Sequence, residues 1–196
     1  MPKSSSISPK ASIDGAVFVD DDVRIFDYAV ISGPCYLGKG TIVGNFSLVR
    51  DSFVGNKCVI GFSSEVARSY VGDGVWLHKN YVGDSVIGDN CAFGSGTVTG
   101  NLRLDEEQIS VLVEDKKMPV GSNKFGLVAG TGVRVGINTS FMPGVKVGSN
   151  SFVGAGIVVA QDIPENMFVT GTWDLRIHEN RRRASIDRRE HMRNSI

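Results

Sequence analysis

Aliphatic residues recur every six positions along much of the chain. IDGAVF, VDDDVR, IFDYAV, ISGPCY, LGKGTI and VGNFSL follow one another in register from Ile13 to Leu48, and VGINTS, FMPGVK, VGSNSF and VGAGIV do the same from Val135 to Val158. A hexapeptide period predicts a parallel β-helix. If each unit makes one short strand and a corner, three units close one triangular coil. The opening aliphatic residue of every unit then points into the prism and stacks on its equivalents in the coils above and below. Glycine is expected at the corners, where a positive φ costs a residue with a Cβ about 1 to 2 kcal/mol. An antiparallel sandwich would need alternation of period two between hairpin turns, and a period of six with Gly after the aliphatic residue does not fit it. The units VRDSF, LHKNY and VGDSV are five residues long, and each predicts a tightened corner. The period predicts about five coils between Ile7 and Gly100 and two more between Ala129 and Pro164.

Two segments break the repeat. Residues 101–125, NLRLDEEQISVLVEDKKMPVGSNKF, have no hexad register but hold an alternating ISVLVE and a charged DKK turn. They predict an excursion from one corner, partly a hairpin, and a loop of this length in a packed fold tends to be functional. After QDIPEN the chain becomes rich in Arg and Glu, which suits a basic amphipathic helix that caps the last coil or clasps a neighbouring subunit. The expected organisation is a flexible start over 1–6, a β-helix over 7–164 with its excursion at 101–125, and a basic helical tail over 165–196.

Composition narrows the function. With 196 residues and 41% hydrophobic content, the chain can bury a core without disulfides or metal. No run approaches the roughly 18 apolar residues of a membrane span, and MPKSSSISPK is unlike a signal peptide, so a cytoplasmic protein without a membrane partner is expected. Cys35, Cys58 and Cys91 lie far apart without a CxxC spacing, which argues for small apolar fillers over a disulfide framework or zinc site. Lys plus Arg and Asp plus Glu both number 21. The basic excess is confined to the tail, and without a basic or aromatic platform in the repeats nucleic-acid binding is not expected.

His78 is the only histidine before the tail, and it can be packing, a metal ligand or a base. The remaining histidines, His178 and His191, lie outside the repeats, so a three-histidine zinc site like that of the β-helical carbonic anhydrases has no counterpart in the coils, and no metal is expected. The stretch HKNYVGDSVIGDNCAFGSGTVTGNLRLDEE, residues 78–107, resembles a joined motif of the left-handed hexapeptide-repeat acyltransferases. It is the His-Leu-x-Tyr-[VL]-Gly-Asp … Gly-Ala-Gly-Thr-[ILV]-Thr-x-Asn of the acetyltransferase domain in bifunctional glucosamine-1-phosphate N-acetyltransferase/N-acetylglucosamine-1-phosphate uridyltransferases, with the Asn-Leu-Arg continuation of their archaeal-type relatives. The resemblance runs over about residues 45–166.

That resemblance implies an all-β, left-handed parallel β-helix, a homotrimer with active sites between subunits, and acetyl-CoA lying along the coils. It implies His78 as general base, an imidazole being able to take a proton from an amine near neutral pH. Asn101 and Tyr81 fall at motif positions used around the sugar and the reacting centre. Ser95 replaces the motif alanine, and its backbone N–H serves as an oxyanion donor whatever its side chain. Ser95, Asn101, Ile137 and Ala155 fall on the coenzyme side, where small residues let a pantetheine arm lie close to the backbone. Arg50 and Arg68, three six-residue periods apart, suit a pair that grips the sugar phosphate from one face.

The reading is an acetyl-CoA-dependent N-acetyltransferase acting on an amino-sugar phosphate, such as glucosamine-1-phosphate, or on a nucleotide amino sugar. With no nucleotide-binding half before the repeats, the uridyltransferase reaction is not expected of this chain, and a separate nucleotidyltransferase is a candidate partner. Lys79 at the motif leucine and Ala92 at a position often held by asparagine leave the acceptor open. The alternatives are a noncatalytic trimeric assembly or regulatory module and an O-acyl or longer-chain acyltransferase.

Overall fold

A computed structural model describes residues 4–114, 116–172 and 177–179. Short strands stack into three parallel sheets of nine, eight and seven strands, the three faces of a prism. The first face is climbed by Ser6–Ile7, Arg24–Ile25, Ile42–Val43, Val59–Ile60, Trp76–Leu77, Ala92–Phe93, Arg134–Val135, Phe152–Val153 and Phe168–Val169. The second includes Leu48–Arg50, Glu65–Ala67, Tyr81–Gly83, Val98–Thr99 and Ser140–Phe141, and the third includes Phe53–Val54, Tyr70–Val71, Val86–Ile87 and Val128–Ala129. This is the parallel β-helix that the period of six requires, and it is consistent with the left-handed coil that the resemblance implies. It continues beyond residue 164, since Phe168 and Val169 pair with Phe152 and Val153.

The alternation of side chains along a strand decides what is inside. Ile25, Val43, Ile60, Leu77 and Phe93 form the inward stack of the first face, Ile31, Val49, Val66, Val82 and Phe141 that of the second, and Leu37, Val54, Val71 and Ile87 that of the third, all buried. A second inward position follows four residues after the opener in six-residue units and three after it in five-residue units. It carries small residues such as Ala29, Cys35, Thr41, Ser47, Ser64 and Thr97, whose polar atoms are satisfied between coils: the Thr41 hydroxyl donates to Gly55 O at 2.7 Å and accepts from Cys58 N–H at 3.0 Å. The cysteines are free and buried at this position, and burial pushes the Cys58 thiol up to about 11.

The glycines behave otherwise than the sequence suggests. Left-handed corner positions are mostly held by other residues, among them Asp51, Arg68, Lys79, Asp84 and Asn138. The glycine after the inward aliphatic residue is required instead by the next coil: a Cβ on Gly94 would lie 2.6 Å from Ile137 N, and one on Gly136 would lie 2.5 Å from Ala155 N.

The coils are not equal in length. Along the first face, Ser6 pairs with Arg24 and Arg24 with Ile42, each step being three full six-residue units. The steps from Ile42 to Val59 and from Val59 to Trp76 are each one residue shorter, and the step from Trp76 to Ala92 is two residues shorter. The corner between second and third faces is one residue short in three successive coils, at Asp51, Arg68 and Asp84, while among the described residues the corner between first and second faces is short only at His78. The excursion leaves the second face after Gly100. Its strand Ser110–Val113 pairs antiparallel with Lys116–Pro119, Phe125 N–H donates to Asn101 O at 3.0 Å, and Gly126 rejoins the prism by donating to Asp84 O at 2.7 Å. The helix expected in the tail falls almost wholly outside the described residues.

Candidate active site

The expected site residues fall into two groups at opposite edges of the second face. The first lies on the corner between first and second faces. Gly61, His78, Gly94, Gly136 and Gly154 each follow an inward residue of the first face in register, so His78 takes the place that glycine holds in the coils around it. The corner ladder joins Lys79 O to Gly96 N–H at 3.1 Å, Ser95 O to Asn138 N–H at 2.9 Å, and Ile137 O to Gly156 N–H at 2.8 Å. His78, Ser95, Ile137 and Ala155 thus occupy consecutive coils along one edge, all exposed. His78 meets the edge of Trp76 with ring centroids 6.2 Å apart. It also lines a groove of about 350 Å³ on the first face, with Ala92, Gly94, Arg134, Gly136, Phe152 and Phe168 among the walls.

The second group crosses the second face to its far corner. In Tyr-Val-Gly-Asp, Tyr81 points out and Val82 points in. Gly83 leaves the outer surface bare, because a Cβ there would lie 2.4 Å from the Tyr81 hydroxyl oxygen. The phenol therefore lies along its own strand and accepts from Asn101 Nδ2 at 3.0 Å. Asn101 Nδ2 also donates to Asp84 Oδ2. Asp84, in the left-handed region, takes two parallel bonds from Arg68, Nε to Oδ1 at 2.6 Å and Nη2 to Oδ2 at 2.7 Å. Burial alone would raise the Asp84 carboxyl, but the hydrogen bonds from Arg68 and Asn101 and the guanidinium charge hold it below the usual carboxylate range, and the Arg68 guanidinium is correspondingly raised. This bidentate geometry is the strong form of the charge-assisted bond.

Arg50 and Arg68 do not stack in register. The coil between them is one residue short, so Ala67 rather than Arg68 lies opposite Arg50, and Arg68 sits one position further round the corner, opposite Asp51. Each arginine also has its own carboxylate: Arg50 Nη2 donates to Glu65 Oε1 at 2.9 Å. A guanidinium has five N–H donors, so both retain donors beyond these pairs. Among the described residues no group of three or more His, Cys, Asp or Glu is arranged to hold a metal, and no helix is long and apolar enough to cross a membrane. The Asn101 network reaches Tyr81, Asp84 and Arg68, and the His78 group stands apart from it across the width of the second face. The excursion adds a second groove, of about 570 Å³, beside Asn101, lined by Leu102, Arg103, Leu104, Ile109 and Met142 among others.

Sequence reasoning missed two residues. Asp84 was visible as the aspartate of the Tyr-x-Gly-Asp motif, and a short unit ending in a left-handed position was the available signal. Asn80 was visible only as a polar residue where neighbouring coils place Ser or Thr.

No family model matches the chain. The bifunctional protein GlmU of Methanococcus vannielii is 40% identical over 178 residues, which cover 86% of this chain and 41% of that protein. A bifunctional sugar-1-phosphate nucleotidylyltransferase/acetyltransferase of Sulfurisphaera tokodaii is 38% identical over 160 residues, 81% of this chain and 40% of that protein. The chain thus spans well under half the length of these curated relatives. Among solved structures, a UDP-N-acetylglucosamine acyltransferase of Bacteroides fragilis superposes with a TM-score of 0.58 at 16% identity, covering 85% of this chain and 70% of that one, a likeness of fold. The chain is a parallel β-helix that resembles the hexapeptide-repeat acyltransferases, and over most of its length it is similar to a part of these bifunctional proteins.

Proposed function

We propose that the chain is an N-acetyltransferase that uses acetyl-CoA and an amino-sugar phosphate or nucleotide amino sugar. The observation that carries this reading is the edge on which His78, Ser95, Ile137 and Ala155 follow one another, open to solvent and lined by glycines that admit no side chain. An extended pantetheine arm fits such an edge, with Ile137 and Ala155 along its length. The names of the Methanococcus and Sulfurisphaera relatives support sugar-1-phosphate and acetyl chemistry.

Acetyl-CoA supplies the acyl group as a thioester. The acceptor nitrogen attacks the thioester carbonyl, His78 takes the proton from that nitrogen, and the C–S bond breaks. The proton passes to the departing sulfur, so the products are an amide and free CoA thiol. The backbone N–H of Ser95, one coil from His78, faces the charge that grows on the carbonyl oxygen. Tyr81, Asn101 and Arg68, held as one network with Asp84, bind the sugar and its phosphate, and Arg50 adds a second cation. Since the two groups sit at opposite edges of one face, a site between neighbouring copies, as in a homotrimer, brings one copy's histidine edge to the other's Asn101 corner.

The test is incubation with acetyl-CoA and a panel of glucosamine-1-phosphate, galactosamine-1-phosphate and UDP-amino sugars, following free thiol and the mass of the sugar product. The reading expects one thiol released per acetamido product for at least one acceptor. No acetylated sugar from any of them contradicts it.

A further inference from the structure

At the corners between first and second faces, the residue after the inward aliphatic residue uses its N–H in the ladder between coils. Ser8, Phe26, Gly44, Gly61, Gly94, Gly136 and Gly154 donate to Ile25, Val43, Ile60, Leu77, Val135, Val153 and Val169 carbonyls at 2.7 to 3.0 Å. His78 differs: its N–H donates to the side chain of Asn80. The corner is one residue short, so it lacks the turn closed in its neighbours by Ser64 N–H to Gly61 O and Thr97 N–H to Gly94 O, each 3.2 Å.

Asn80 is buried, 4% exposed, and all its side-chain polar atoms are engaged. Its Oδ1 accepts from His78 N–H. Its Nδ2 donates to Gly94 O at 2.8 Å and to Thr97 O at 3.1 Å. Its backbone N–H donates to the Ser64 hydroxyl at 3.1 Å. Elsewhere in this stack the hydroxyls of Ser47, Thr97 and Thr139 donate to the next coil, to Gly61, Gly136 and Gly154 carbonyls at 2.7, 2.9 and 3.0 Å. Asn80 makes that bond and a second one back to the histidine. One carboxamide therefore ties the His78 backbone to both ends of the Gly94-Ser95-Gly96-Thr97 turn.

We infer that Asn80 is a positioning residue that sets His78 against the Ser95 turn of the next coil. The inference rests on the reading of His78 as the base. Serine fills this place in the other five-residue units, where the Ser52, Ser69 and Ser85 hydroxyls donate to a carbonyl of their own corner and accept from an N–H of the next coil, so Asn80→Ser keeps the stack and loses the bond to His78. Its fold, followed by circular dichroism and melting, is expected to stay cooperative. Its kcat is expected to fall about tenfold to hundredfold, the scale of a misplacement of about 1 Å, with the KM for acetyl-CoA within about threefold. The His78 amide is expected to exchange with solvent at least about tenfold faster, as a group released from its local protection. Asn80→Asp keeps the acceptor but sets a carboxylate against two carbonyls; it is expected to lower the melting temperature while the His78 amide stays protected. Ser47→Ala, in the same stack two coils away, is expected to leave kcat unchanged.

The amide exchange judges the anchor even if no acceptor is turned over, an outcome that would count against the proposed function alone. Unchanged protection of the His78 amide in Asn80→Ser overturns the inference. So does lost protection with an unchanged kcat in an enzyme that turns over.

Discussion

The coils that start at Ser6 and Arg24 and those that start at Val59 and Trp76 are built from the same repeat, yet only the second pair carries the candidate chemistry. In the full-length coils the corners and outer faces display rings and exposed ion pairs. Phe18 stacks on Tyr36 on the third face with centroids 5.3 Å apart, a ladder that runs on through Phe53 and Tyr70 into the shorter coils, and Lys10 pairs with Asp27 at 3.0 Å. Where a coil loses a residue, a corner side chain changes position relative to its neighbours. At one edge the loss tightens the corner that His78 opens, so that its N–H turns to Asn80; at the other it sets Arg68 beside Asp84, with Asn101 donating to the same carboxylate. The inward stacks continue unbroken through both regions, so the departure from the period costs the core little and reorganises the surface.

The largest effect is expected from undoing the short corner at His78. Insertion of one Gly between Lys79 and Asn80 restores a six-residue unit; acetyl transfer should fall by at least about 10²-fold, the low end of what a positioned base contributes, while melting remains cooperative. Retained activity would show that the short corner does not place the histidine. Next come the inward stacks. Leu37→Ala in a full coil and Leu77→Ala in a short one both truncate fully buried side chains, and each should cost about 2 to 5 kcal/mol in urea unfolding. A much smaller cost for Leu77 would mean that the short coils are loosely packed.

The ion pairs sharpen the comparison further. Asp84 is held below the usual carboxylate range by Arg68 and Asn101 against the opposing effect of its burial. A depressed folded pKa contributes stability above the unfolded value of about 4, and that contribution is lost as pH falls through the lower folded value. Asp84→Asn should therefore lower stability at pH 7 by about 1.5 to 3 kcal/mol, the range for hydrogen bonds to charged groups, and flatten the loss below about pH 4. Asp27→Asn, in an exposed pair, should change the unfolding midpoint much less. Equal effects of the two substitutions would remove the distinction between the corners.

Much of this was legible in the residues because period and burial are coupled. The inward positions followed from the aliphatic openers, the excursion and its hairpin from the loss of the hexad and the alternation in ISVLVE, and the tight corners from the five-residue units. The row of Ser95, Ile137 and Ala155 also followed, since one register step moves each by one coil, while His78 sits one position earlier on that corner, in register with Gly94. What failed were arguments that counted along the chain where the coil had already changed length. Arg50 and Arg68 stand three full periods apart, but VRDSF, the unit that holds Arg50, is five residues long, and the pair falls out of register. The glycines were assigned to positive φ, whereas most of those after the inward residue answer to the backbone of the next coil, a contact that no single coil's sequence displays. Asn80 escaped notice because its position is that of an ordinary small filler, and only its bond to His78 sets it apart from Ser64 and Thr97.

The central claim, that the short corner presents a base to the acceptor amine, is tested most directly by single-turnover acetyl transfer with wild-type chain and His78→Ala at saturating acetyl-CoA. The account predicts a transfer rate lower by about 10² to 10⁴ in the variant, with acetyl-CoA affinity within about threefold. Equal transfer rates in the two proteins would contradict it.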